Sequence, residues 1–415
     1  MIKSQTTKRH ATKTPLLLAA ALSLLLAACA TVKETPPTVC PPCPQCPPVP
    51  PVAEVPPPAK PLQPARWSDL PGWSEDDPLA AWPAFLQSCR GMAGKPHWPQ
   101  WSAVCEDART VPAKDSKAVR QFLETRLEPY LLTNPDGSAS GLVTGYYEPL
   151  LRGSRTRTAK YTQPVLGVPP DLLTIDLSDV VPDLKNLRLR GRLVGNRVVP
   201  YYSRAEISGH GLEKSYPEKV LLWVDDAIEL FFLQIQGSGR VKLPNGSMVR
   251  LGYADQNGHP YKAIGRVLAD RGDIPIEQAS MQGIQAWARA NPSRLPELLN
   301  ANPSYVFFRE MPVKGNGEEG PQGALGVPLT PGRSIAVDPR HVPLGAPVFL
   351  STTQPNSAVP LTRLVLAQDT GGAIRGVVRA DFFWGFGADA GAQAGRMKQA
   401  GQMWVLLPPG VAPKQ

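Results

Sequence analysis

The sequence predicts a mainly β fold of the barrel type with helices ahead of it, and two observations carry the prediction. From about residue 312 short apolar runs alternate with Gly/Pro turns: RSIAVDPRHVPLGAPVFL, RLVLAQD, AIRGVVRADFF and the terminal MWVLLP. Regularly spaced short strands with turn signals between them suggest a barrel rather than a parallel nucleotide-binding sheet. The one loose dinucleotide fingerprint, Gly385-Phe-Gly387-Ala-Asp-Ala390, follows DFFW without a surrounding βαβ unit and is set aside. No internal repeat stands out.

Taken in order, the chain opens with Lys3, Lys8, Arg9 and Lys13 ahead of an apolar run at 16–26 that ends Leu26-Ala27-Ala28-Cys29. The run is too short for a permanent membrane span, and its basic flank marks an export signal at 1–28. Small residues before a cysteine form the bacterial lipoprotein cleavage pattern. Cys29 is then the first mature residue, and the acyl chains it carries together make a stable anchor. Position 30 is Ala rather than Asp, so nothing argues for retention at the inner membrane, and outer-membrane attachment facing the periplasm is expected.

Residues 29–64 read as a tether. Between 36 and 64 lie 14 of the 48 prolines, with no periodicity that could build a core. Extended at roughly 3.1 Å per residue, such a segment reaches on the order of 100 Å. Cys40, Cys43 and Cys46 fall at three-residue spacing inside it. Polyproline II repeats every three residues, which sets these thiols along one edge roughly 9 Å apart, too far for neighbours to bridge. Interchain bridging or simple tolerance suits them better than a metal, since no nearby His completes a ligand set. Cys89 and Cys105 lie in helix-like WPAFLQSC and WSAVCEDA. In an oxidising compartment they are expected to pair, worth about 3 kcal/mol on loop entropy.

The globular part begins near Trp67 and is long enough for two domains. Residues 117–132, KAVRQFLETRLEPYLL, carry apolar positions at helical spacing, and 141–147 turns strand-like. Between 150 and 311 the β-like runs 163–168 and 220–224 are followed by 230–236, Gly-Ser-Gly at 237–239 and 248–253; helix-like runs cover 261–271 and 277–290.

Signal removal takes away four positive charges and no acids, so the formal net charge falls from +9 to +5. Nucleic acid is excluded by compartment, and a mild positive charge suits an anionic polymer or surface. No HExxH and no G-x-S-x-G occurs, and the histidines that remain, His97, His210, His259 and His341, are scattered. Ser238 in QGSG reads as part of a turn rather than a nucleophile.

Chemistry concentrates in 366–387, LAQDTGGAIRGVVRADFFWGFG, where Asp369 and Asp381 sit twelve apart among glycine turns, arginines and aromatics. Apolar neighbours such as Phe382, Phe383 or Trp384 raise a carboxyl pKa, while a cation such as Arg379 lowers it, so the proton affinity of Asp381 depends on which environment wins. Aromatic faces also offer a pyranose ring a flat surface. The bland alternative is that both aspartates cap turns.

GYYEP (145–149), SRAEI (203–207), LQIQGSG (233–239), NGHPYKAIG (257–265), NPSYVFF (302–308), IAVDPRHVPLG (335–345) and AQDTGGAIRG…RADFFWGFG (367–387) together resemble the membrane-bound lytic murein transglycosylase A family, over roughly residues 80–407. The resemblance implies a double-psi β-barrel domain, 65–149 with 312–415, interrupted by a second β domain at 150–311 that forms the other wall of a sugar-binding groove. It places the catalytic acid on Asp381 and a supporting carboxylate on Asp369. It places groove-lining positions on Thr144, Tyr146 and Tyr147, with Gln236 and Gly237 from the insert; Trp384 is added for its aromatic face. The implied partners are peptidoglycan glycan strands, the outer membrane through the lipid anchor, and cell-wall enzyme complexes. No cofactor and no metal is called for.

Cleavage of a MurNAc–GlcNAc bond needs a protonated carboxyl at the leaving oxygen. An ordinary glycosidase needs a second carboxylate, but a muramyl residue can close a 1,6-anhydro ring with its own C6 hydroxyl, so one acid suffices. Two rivals stand beside this: an aspartic protease, from Asp369-Thr370-Gly371, which lacks the second copy such a site needs, and a non-catalytic murein-binding lipoprotein.

Overall fold

The computed structural model describes residues 59–184, 187, 189–312 and 319–411, which belong to one unit, Pro57–Gln415. The signal at 1–28, Cys29, the tether cysteines and the tether up to residue 58 lie outside the described residues. The tether's end does not stay extended and unpaired. Leu62–Pro64 form strand β1, antiparallel to β2 (Glu128–Leu132).

Helix α1 (Trp82–Met92) and helix α2 (Trp98–Ala108) each carry a proline in the first turn, where its missing N–H costs nothing. A disulfide from Cys89 to Cys105 joins them. Helix α3 (Ser116–Arg126) is capped by Asp115, whose carboxylate accepts from the amides of Lys117 and Ala118. The helical periodicity of 117–132 overshoots this helix. Pro129 disfavours helical geometry at Glu128 and would itself break the ladder, so the chain leaves the helix at Arg126 and enters β2.

The strands that follow form two principal sheets. They are β3 (Gly141–Glu148), β4 (Leu150–Ser154), β5 (Gln163–Leu166), β6 (Leu173–Thr174), β7 (Arg190–Val194), β8 (Arg197–Pro200), β9 (Val220–Val224), β10 (Ser238–Lys242), β11 (Met248–Gln256) and β12 (Val306–Met311). The C-terminal part adds β13 (Ser334–Val337), β14 (Pro347–Thr353), β15 (Pro360–Asp369), β16 (Arg379–Phe386) and β17 (Lys398–Leu407). The first sheet runs β1-β2-β17-β14-β15-β13-β16-β3, and β3 also pairs with β17. Its β13–β15 and β16–β3 contacts are parallel, so non-consecutive strands are brought side by side by crossovers. The second sheet runs β12-β11-β10-β4-β9-β5, and β6-β7-β8 form a small third.

The stretch from β4 to β12 is less purely β than expected. It also holds α4 (Arg204–His210), α5 (Leu212–Ser215), α6 (Ala227–Gln236), α7 (Ile264–Asp270), α8 (Met281–Ala290) and α9 (Leu295–Asn300). The apolar run at 230–236, placed among β-like runs by its composition, is the second part of α6. Asp226 caps that helix by accepting from Ile228 and Glu229, and Gly237 ends it at φ 78°. The helix is apolar on most of its circumference because it is buried on both sides: Leu230 and Leu233 face the second sheet, while Phe231 and Phe232 join Ile264, Leu268 and Trp287.

The main core fills the first sheet's inner face. Phe349, Val365, Phe382 and Trp404 pack there with Trp82, Phe85 and Trp101 of the helices, each such side chain contributing about 1.5–3 kcal/mol by burial. One polar group crosses this core. The buried Gln368 side chain accepts from Ser334 Oγ (2.6 Å) and donates from Nε2 to the Ala84 carbonyl (2.9 Å) and Ser88 Oγ (3.0 Å). It thereby pins α1 to the residue before Asp369. Gln368→Leu keeps the volume but strands these partners, so urea unfolding is expected to show a loss of about 2–4 kcal/mol; a loss below 1 kcal/mol, on the same scale, would mean that water replaces the amide.

Candidate active site

Strand β3 supplies one wall of the site through simple alternation. Thr144, Tyr146 and Glu148 face one way and Val143, Gly145 and Tyr147 the other. The register is fixed on both edges: Thr144 stands opposite Asp381 of β16 and opposite Lys398 of β17. Ala336 of β13 stands opposite Asp381 on one side and Asp369 on the other. A transverse row, Lys398–Thr144–Asp381–Ala336–Asp369, therefore crosses five strands on one face. The two aspartates sit two strands apart, roughly 10 Å between Cα atoms, with Ala336 of β13 between them in the row.

Asp381 accepts a 2.6 Å hydrogen bond from Thr144 Oγ1 on Oδ1, and Thr144 Oγ1 in turn accepts from Arg379 Nη2 at 2.9 Å. Asp369 is held more fully. Tyr146 Oη donates to its Oδ2 (3.0 Å), and the amides of Ala324 and Thr370 donate to its Oδ1 (both 2.9 Å). The Tyr146 ring lies 5.2 Å from that of Phe383, on the face of β16 that carries Asp381.

Burial wins the contest over Asp381: it raises the carboxyl pKa, with Thr144 and Arg379 opposing. Burial likewise lifts Asp369 to about 6 against its three donors, and the Asp381 charge adds to the rise. Tyr146 is pushed well above the usual phenol range by burial and by both carboxylates, so it stays a neutral donor.

The remaining expected residues fall elsewhere. Tyr147 points away from the carboxylates, its ring against Gly391 and its hydroxyl donating to Met281 Sδ at 3.7 Å; burial lifts its pKa to about 12. Its amide donates to Gln236 Oε1 (3.0 Å) at the end of α6, beside Gly237, so Gln236 ties the second sheet's helix to β3. Trp384 lies behind the row, not in it: it packs on Phe382 and donates to Met397 Sδ at 3.3 Å. Gly145 makes that position possible, since a Cβ there would come within 2.7 Å of Trp384 Nε1. Cys89 and Cys105 lie among the helices, within the main core.

Several groups at the site escape a reading of motifs. Ala324 and Ala336 carry no chemical signature; only the pairing shows them. Glu148 was within reach, because alternation in TGYYE sets it on the Thr144 face. Its buried carboxylate accepts from Arg240 Nε at 2.8 Å and lies 3.6 Å from Arg250. Burial raises its pKa against these two cations. The strand pairing also argues against the protease: its paired carboxylates share one proton at close range, whereas Asp369 is bound to Tyr146 and amides, with β13 between it and Asp381.

The MltA specific insert domain model matches residues 142–309 and the 3D domain model residues 333–407. Membrane-bound lytic murein transglycosylase A of Escherichia coli (strain K12) is 32% identical over 303 residues, covering 70% of this chain and 72% of that protein. LtgG, a lytic transglycosylase of Burkholderia pseudomallei, is similar in structure with a TM-score of 0.56 and 47% identity, over 85% of this chain and 96% of that one. E. coli MltA with bound chitohexaose gives a TM-score of 0.60 at 27% identity, over 85% and 93%.

The raised pKa of Asp369 makes a stability prediction. A carboxyl whose folded pKa lies above its unfolded value contributes fully below about pH 4, and the contribution is lost as pH rises through about 6. Asp369→Asn should therefore be about 3 kcal/mol more stable than the parent near pH 7.5, with the gain vanishing near pH 4. Thermal melts across that range decide it; a difference independent of pH would show that Asp369 ionises without penalty.

Proposed function

We propose that this chain, which belongs to the membrane-bound lytic murein transglycosylase A family and is a peptidoglycan lytic transglycosylase, cuts the β-1,4 bond from MurNAc to GlcNAc with Asp381 as its one acid. The observation that carries the assignment is the asymmetry of its carboxyl: Oδ1 is held by Thr144, while Oδ2 has no hydrogen-bond partner among the described residues.

Asp381, its carboxyl pKa raised by burial, donates in its protonated form to the glycosidic oxygen, and the GlcNAc end leaves with that proton. Positive charge grows at C1 of the muramyl ring. Its own C6 hydroxyl attacks C1, closes the 1,6-anhydro ring and returns a proton to the Asp381 carboxylate, so no water is consumed. Asp369, fixed by three donors, supplies negative charge that offsets the oxocarbenium character.

The finer fold reading is a double-psi β-barrel, 65–149 with 312–415, interrupted at 150–311 by the insert that forms the groove's other wall. The pairing of β3 with both β16 and β17 supports a barrel, and the separate cores of the second sheet and its helices support an insert. Thr144, Tyr146, Tyr147, Gln236 and Gly237 then lie where the two walls meet; the position of Trp384 suits support of β3 better than contact with sugar. Attachment is by a lipid on Cys29 to the outer membrane, facing the periplasm. The relatives are named membrane-bound, and among the described residues no helix is long and apolar enough to cross a membrane.

Muropeptide release tests the activity and separates it from mere murein binding. Asp381→Asn keeps the shape and removes the proton, so turnover should fall about 10²–10⁴-fold with murein binding retained; near-normal turnover by a folded variant would remove Asp381 from the acid role. Products should end in 1,6-anhydromuramyl groups that borohydride leaves unreduced. Reducible ends appearing first would make the enzyme a hydrolase with an activated water. Cys29→Ser should move the protein out of the membrane fraction; retention there would show a second anchor.

A further inference from the structure

We infer that Arg379 is a positioning residue for the acid: through Thr144 it fixes the Asp381 proton on Oδ2, the oxygen open to substrate. The inference rests on the reading of Asp381 as the acid. Arg379 lies two residues before Asp381, on the same face of β16, and opposite Leu142 of β3. Its Nη2 donates to Thr144 Oγ1 at 2.9 Å, and its Nη1 donates to the Leu142 carbonyl at 3.2 Å and to the Ala380 carbonyl.

A guanidinium has donors and no acceptor, so the direction of this relay is fixed. Thr144 Oγ1 must accept from Arg379, and its single proton goes to Asp381 Oδ1, the one acceptor in reach among the described residues. A proton on Oδ1 would confront the Thr144 proton head-on. If the hydroxyl turned away to accept it, Thr144 would lose its own acceptor. The neutral acid therefore carries its proton on Oδ2. Once that proton has left, the same relay stabilises the carboxylate that receives the C6 hydroxyl proton.

The charged and titratable groups around Asp381 are few. Arg379 stands on its own strand, Tyr146 with Thr144 on β3, Asp369 on β15 beyond Ala336, and Lys398 on β17 beyond Thr144. Of these, Arg379 is the cation that opposes the rise in the Asp381 pKa. Its removal should therefore move the loss of activity at high pH further upward, while leaving the proton free to sit on the unproductive oxygen.

The test compares Arg379→Gln, Arg379→Lys, Thr144→Val and the Arg379→Gln/Thr144→Val double variant in the full chain, by pH profiles of muropeptide release. Arg379→Gln is expected to lower kcat about tenfold with KM within about twofold, and to shift the basic limb upward. Arg379→Lys, which restores one donor, should recover most of the rate, and the double variant should be no slower than Thr144→Val alone. An unmoved basic limb, losses that multiply in the double variant, or a raised KM at unchanged kcat would each overturn the inference. Should Arg379→Gln fail to fold, the limb position in Thr144→Val decides: valine keeps the strand's packing and removes the hydrogen bond through which Arg379 acts, so the limb should move upward. An Asp381→Asn enzyme that still turns over defeats the acid assignment; an inactive one beside an unmoved limb in Arg379→Gln or Thr144→Val defeats the positioning role alone.

Discussion

Strand β3 is hydrogen-bonded along both edges, to β16 and to β17, and that double pairing removes its freedom to slip. A shift of one residue in a strand exchanges its two faces. Here it would turn Thr144 and Tyr146 away from the carboxylates and drive Val143 and Tyr147 toward them. The aspartates themselves come from β15 and β16, kept apart by β13 and the small side chain of Ala336. The geometry of the candidate site is thus set by sheet register, with loops adding the Ala324 and Thr370 amides to Asp369.

Two carboxylates in one row could have become an interchangeable pair. Their surroundings separate them. Asp369 accepts from a phenol and two amides and has its oxygens occupied on both sides. Asp381 is engaged on one oxygen only. A carboxylate surrounded by donors suits a fixed negative charge, whereas one with a bare oxygen suits proton delivery, which is the division of roles proposed above.

The C-terminal strands were legible because their short apolar runs are punctuated by Gly and Pro, and 141–147 stood out for the same reason. Helices α1 and α2 showed in the apolar spacing around Cys89 and Cys105. What failed is equally physical. Helix α6 is apolar on most of its circumference, so its run lacked a telling period, although Asp226 and Gly237 mark its ends. The break between α3 and β2 needed more weight on Pro129 than on periodicity. At the site, the motif resemblance named Thr144, Tyr146, Asp369 and Asp381, and the structure brings these four onto one face. It could not give the order of strands, because parallel crossovers put residues over 200 positions apart in contact and leave no trace in local pattern. Trp384 illustrates a related point: aromatic character is visible in a sequence, but the side of the strand it occupies, here packed on Phe382 and Met397, is not.

The chain leaves the first sheet at Glu148 and starts the second at Leu150, and at that crossing Glu148 is gripped by Arg240 and Arg250 from the second sheet. A greasy contact there would let the two sheets glide, since dispersion forces have little directional preference. An ionic joint in a dry place behaves as a stiff spring. Pulling the guanidiniums from the carboxylate strands a buried charge, at about 3–5 kcal/mol. The joint between the two sheets is therefore stiffened electrostatically at Glu148. A glycan strand held in the groove proposed between them would meet a spacing set before it arrived.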